Sequence, residues 1–150
     1  MPEQETLERA RRDKQQGKSA STQAGEFVRE EMHHIREGKH GATSAKQAIA
    51  IGLSKARRAG VNLRPPRRGQ TSEKTRRSAA SAYRKGQRGT PTSRTRSQAR
   101  SKALRREPRS AASHRALSRQ AHSASRRRSA ASRSRAAKKA ARTRSQERWA

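Results

Sequence analysis

SAKQAIAIGLSKARRAG, Ser44 to Gly60, is the stretch of this 150-residue chain in which apolar side chains crowd together most regularly. Ala45, Ala48, Ile49, Gly52, Leu53 and Ala56 fall at offsets 0, 3, 4, 7, 8 and 11, which lines one side of an α-helix. Lys46, Gln47, Ser54, Arg57 and Arg58 fall opposite. Ser44 followed three residues later by Gln47 is a capping-box start, and Gly60 is placed as a C-terminal stop. The small residues Ala48, Gly52 and Ala56 allow a second helix to approach closely.

That second helix is supplied upstream. Val28, Met32 and Ile35 stand at i, i+4 and i+7 beside Phe27, with Ser21 or Thr22 as N-cap candidates. Gly38 and Gly41 close the segment. The expectation is a mainly α protein built on a short helical hairpin over about residues 22–60, with Phe27, Val28, Met32, Ile35, Ile49 and Leu53 as its core. Val61 and Leu63 would close its open end ahead of Pro65–Pro66. Residues 1–20 read as a charged, weakly helical segment, held partly by pairs such as Glu5–Arg9, and within residues 2–18 Leu7 is the one large apolar residue available to dock. Residues 21–64 form the hairpin module and residues 65–150 a tail.

The tail is Arg/Ser/Ala-rich and of low complexity. Fifteen large apolar residues exist in the chain, nine of them between Phe27 and Leu63 and only four after Pro65. Ordering a residue costs roughly 1–2 kcal/mol of backbone entropy, so a count of large side chains predicts a long, largely disordered basic tail when free. Charge is as uneven as hydropathy. Residues 1–64 carry 13 basic and 8 acidic side chains, residues 65–150 carry 27 and 3, and together they make the net +29. Such a tail attracts polyanions.

Phe27 to Gly60, reading FVREEMHHIREGKHGATSAKQAIAIGLSKARRAG, resembles a family of small bacterial proteins marked by a helix ending in REGKH-like residues followed by KQAIAIGLSKAR. The resemblance covers about a quarter of the chain and is carried by Lys46 to Arg57. It implies a bacterial source, a shared helical module and a loose description as DNA-binding or histone-like. The tail is similar in composition to the Ala/Lys/Arg/Ser-rich tails of linker-histone-like proteins.

The function these features predict is sequence-non-specific DNA binding by a nucleoid-associated, histone-like protein in the cytoplasm, driven by counterion release from phosphates. The candidate phosphate contacts are Arg67, Arg68, Arg76, Arg77, Arg105 and Arg106, then Arg126, Arg127, Arg128, Arg133, Arg135, Lys138, Lys139 and Arg142. Lys46, Arg57 and Arg58 are auxiliary contacts. RNA satisfies the same chemistry. In this reading the hairpin is an anchor or a dimerising unit; the alternative is an adaptor whose hairpin binds a protein partner while the tail localises it on RNA or DNA. Base reading by Ser44–Gly60 as a recognition helix is disfavoured, because the preceding loop is longer than a tight helix-turn-helix turn. Tyr83 and Trp149 are too isolated to form a stacking platform for single strands.

Other classes of function find little support. No acid pair, nucleophile–base arrangement or phosphate-cradling glycine loop argues for an enzyme or a small-molecule substrate. The chain contains no cysteine and no apolar run of the ~20 residues a membrane span needs. His33, His34 and His40 lie close together, yet adjacent His33 and His34 point about 100° apart on a helix and no acidic or thiol partner completes a tetrahedral set, so neither metal nor cofactor is expected.

Overall fold

In the computed structural model, which describes residues 1–149, seven α-helices and one 3-10 turn follow one another with no strand among the described residues. They are α1 (Gln4–Gln15), α2 (Ala20–Arg36), α3 (Ala45–Arg58), α4 (Glu73–Gln87), α5 (Arg94–Leu104), the 3-10 turn (Arg109–Ala112), α6 (His114–Arg126) and α7 (Ala130–Trp149). The chain divides into two compact units, Met1–Ser113 and His114–Ala150.

The pairing of α2 with α3 is the centre of the first unit. Ser44 caps α3 by accepting from the Gln47 N–H at 3.2 Å, while the Gln47 side chain accepts from the Thr43 N–H. For α2 the N-cap is Ser19, upstream of the expected Ser21 or Thr22, accepting from the Thr22 N–H. Phe27, Met32 and Ile35 are buried, whereas Val28, Ile49 and Leu53 are half-buried. The two helices cross where Gly52 lies on Val28, so closely that a Cβ on residue 52 would sit 2.7 Å from the Val28 Cα. The N-terminal segment supplies a third packed helix, α1: its Ala10 and Leu7 join Phe27, Ala24, Ala56 and Val61 in the core, and Arg9 bridges to Glu26 of α2 at 2.6 Å.

A short hairpin followed by a disordered tail is therefore not the architecture. Beyond Pro66 the chain forms α4 to α7, and α4 packs on α3 within the same compact unit. The count of large apolar residues fails here because the core is built from small ones. Ten of the fourteen buried apolar residues are alanine, among them Ala79 and Ala82 of α4 and Ala111 and Ala112 of the 3-10 turn. Small side chains bury little area each, but they let backbones meet. A Cβ on Gly86 of α4 would lie 1.8 Å from the Arg57 carbonyl oxygen. Polar ties reinforce the contact: Tyr83 Oη donates to Asn62 Oδ1 at 2.6 Å and Arg58 donates to Thr92 at 2.8 Å. The connection after α5 is held the same way, by the Gly41 N–H on the Leu104 carbonyl, the Ala42 N–H on the Pro108 carbonyl, and Arg36 Nε on the Ala112 carbonyl.

The second unit holds α6 and α7, in which no residue is fully buried. Alanine and arginine are strong helix formers, and that propensity carries these two helices where packing does not.

Candidate nucleic-acid interface

All twelve basic side chains of residues 114–149 are exposed, against one acid, Glu147. Among the described residues, no ion pair involves any of them. Every acid engaged in a salt bridge stands at or before Glu73. Among the described residues, nothing thus pairs with the positive charge of α6 and α7.

Helical periodicity sorts this charge into stripes. On α7, Arg135, Lys138, Lys139 and Arg142 stand at i, i+3, i+4 and i+7 and line a shallow groove with Thr143 and Gln146. Arg133, Arg144 and Arg148 lie on the opposite side at 100° per residue. On α6, Arg119, His122, Ser123 and Arg126 form a comparable stripe that continues to Arg127. Arg128 is spent locally: its guanidinium donates to the Ser132 hydroxyl and carbonyl.

The remaining sequence-derived contacts are distributed over the first unit. Arg67, Arg68, Arg77, Arg105 and Arg106 are exposed, whereas Arg76 is half-buried. Arg76 and Arg77 share Glu73 at the start of α4, and the Arg76 bond lowers the Glu73 pKa while Glu73 raises that of Arg76. Lys46 is exposed as expected and Arg58 is half-buried. Arg57 departs from expectation: it is 7% exposed, its Nε donates to the Leu63 carbonyl at 3.1 Å, and burial lowers its pKa. The arrival of α4 explains the change, since it covers the end of α3 that a two-helix hairpin would leave in solvent. Tyr83 is likewise committed to Asn62, while Trp149 is 87% exposed.

A second polar cluster, which spacing alone does not reveal, lies between α2, α3 and the loop joining them. Glu30 and Glu31 of α2 are 3% and 0% exposed. Lys55 of α3 pairs with Glu31 Oε1 and stands 3.6 Å from Glu30 Oε1. His34, one turn along α2, holds its Nε2 2.8 Å from Glu3 and its Nδ1 4.0 Å from both buried carboxylates. His40, in the loop, places Nδ1 3.0 Å from the Gly41 carbonyl and Nε2 3.3 Å from Glu31 Oε2. Glu30 Oε1 and Glu31 Oε2 are buried and accept no hydrogen bond. The bond from His34 first, and that from Lys39 next, push the Glu3 pKa down to about 2. The periodicity of α2 could have signalled part of this cluster: Glu31 and His34, at i and i+3, share a helix face.

No helix among the described residues is long and apolar enough to cross a membrane. No curated protein and no solved structure is detectably similar to the chain. Residues 13–68 match the profile of a family described only as "Family of unknown function (DUF6496)", a stretch that spans a little over a third of the chain and contains Glu30, Glu31, His34, His40 and Lys55 but none of α4 to α7.

Proposed function

We propose that the protein binds DNA without regard to sequence, through phosphate contacts made by α6 and α7, and acts as a nucleoid-associated, histone-like protein. The observation that carries this reading is the exposed charge of residues 114–149: twelve basic groups, one acid and no internal ion pair among the described residues. Unpaired guanidinium groups suit bidentate phosphate contacts, and each phosphate neutralised releases a condensed counterion.

The helices themselves gain from such a partner. Arg135/Lys139, Lys138/Arg142 and Arg144/Arg148 are like-charged pairs at i,i+4 on α7, each destabilising by roughly 0.2–0.5 kcal/mol. A phosphate backbone laid along the stripe removes that repulsion. Base reading has no comparable support, because α3, the candidate recognition helix, is packed between α2 and α4.

The test is a titration of labelled duplex across a salt series. Engagement of about eight phosphates gives a slope of log K against log salt near −7. Replacing Arg135, Lys138, Lys139 and Arg142 by Gln reduces its magnitude by about 4 and weakens unrelated duplex sequences alike. A flat salt response of the intact chain rejects the reading.

A further inference from the structure

The buried cluster of α2 and the α2–α3 loop has a chemistry that the proposed nucleic-acid function does not use. We infer that Glu31, His34 and His40 bind one divalent transition-metal ion that staples the first unit, with Glu3 orienting His34 from outside the site.

The argument starts from tautomers. A carboxylate or a carbonyl oxygen can only accept a hydrogen bond, so His34 Nε2 donates to Glu3 and His40 Nδ1 donates to the Gly41 carbonyl. In the neutral rings that leaves His34 Nδ1 and His40 Nε2 as lone pairs. Both lone pairs face buried carboxylate oxygens, and two of those oxygens, Glu30 Oε1 and Glu31 Oε2, accept no hydrogen bond. Four electron-rich atoms turned towards one another in a buried place favour a cation among them. Lys55 supplies one from the α3 side, paired with Glu31 Oε1 and 3.6 Å from Glu30 Oε1, which leaves Glu31 Oε2 facing His40 without it.

Geometry and ligand type agree. One donor atom from each of Glu31, His34 and His40 lies within 4.8 Å of the others. Tetrahedral zinc, with bonds of about 2.0–2.2 Å, sets its ligands roughly 3.3–3.5 Å apart. The 3.3 Å between His40 Nε2 and Glu31 Oε2 already has that length, and the wider edges close by small side-chain rotations. The imidazole rings stand nearly perpendicular, at 81° with centroids 6.1 Å apart. Two imidazoles and a carboxylate suit zinc and its neighbours, with Glu30 Oε1 or water for the fourth position. A carboxylate or backbone carbonyl behind each ligating histidine is the support metal-binding imidazoles ordinarily have. By formal charge, a divalent ion together with Lys55 and Lys39 neutralises Glu3, Glu30, Glu31 and Glu37, Lys39 being shared by Glu3 and Glu37. The ion would join α2 to the His40 loop and, through Glu3, to the start of α1, in a fold whose core is mostly alanine.

The test uses the full chain, freed of nucleic acid and stripped with a chelator, and titrates Zn2+ against a chromophoric competitor. One Zn2+ binds per chain, Co2+ gives the visible d–d band of a tetrahedral site, and the midpoint of thermal unfolding rises with Zn2+. His40→Gln and His34→Gln each weaken binding by at least about 100-fold, and Glu3→Gln by about 10–100-fold. His33→Ala/His114→Ala/His122→Ala, which removes the other three histidines, leaves affinity unchanged. If His34→Gln does not fold, His40→Gln and the wild-type Co2+ spectrum decide. Absence of stoichiometric binding overturns the inference, as does binding that survives both glutamine variants or disappears in the triple variant. A failure here leaves the salt-dependent DNA binding untouched, and the reverse also holds.

Discussion

Gly86→Ala separates a docked α4 from a free one, because the two states give opposite signs. In a solvated helix, alanine in place of glycine stabilises by roughly 0.5–1 kcal/mol. In the packed unit, the new Cβ falls 1.8 Å from the Arg57 carbonyl oxygen and 2.8 Å from the carbonyl carbon. Both atoms belong to the backbone of α3, so no side chain can swing aside. Restoring ordinary contact of about 3.4 Å means withdrawing α4 by more than 1 Å, which loosens Ala79 and Ala82 against α3 and lengthens the Tyr83–Asn62 bond. Overpacking of this kind costs about 1–3 kcal/mol, and the absence of an elastic neighbour puts this site at the upper end. After the propensity gain is deducted, the expected loss is about 2 kcal/mol, or a fall in unfolding midpoint on the order of 10 °C for a unit of this size. Gly25→Ala is the internal control: it sits on the exposed side of α2 with nothing within 4 Å of an added Cβ, and should gain about 0.5–1 kcal/mol. Thermal unfolding followed by circular dichroism reads both variants. A Gly86→Ala protein as stable as Gly25→Ala would refute the docking of α4.

Two further outcomes follow from the polar contacts of the first unit. Lys55→Met leaves Glu31 buried without its ammonium partner and should cost about 3 kcal/mol, the lower end for a broken buried pair because Lys55 is partly exposed. Adding Glu31→Gln to that variant should restore most of the loss in chemical denaturation. Glu3, Glu37 and Glu73 have folded pKa values below the ordinary 4.5, Glu3 at about 2. Groups depressed in the folded state stabilise it above the unfolded pKa, so stability should hold above pH 4.5 and fall as pH drops from 4.5 towards 2. Glu3→Gln should flatten part of that fall in denaturation midpoints measured across the range.

The chain's periodicity and composition determined much that the structure retains. The spacing from Ala45 to Ala56 defined α3 and its capped start, Phe27 to Ile35 defined the buried face of α2, and the charge count located the polycation after Pro65. These features are local: periodicity, capping and net charge depend on neighbours along the chain. Tertiary structure decided the rest. Whether alanines such as Ala79 and Ala112 are core or surface depends on how near another backbone comes, and the close approaches at Gly86, against Arg57, and at Gly41, against Glu107 and Pro108, exist only in the packed fold. Arg57 changed from a displayed cation to a buried tie for the same reason, because α4 closes over the end of α3. Glu3 and His40, 37 positions apart, enter one cluster only when α1 packs on α2 and the loop folds back. Charge and periodicity travel with the sequence, but burial and the meeting of distant polar groups exist only once the helices are packed.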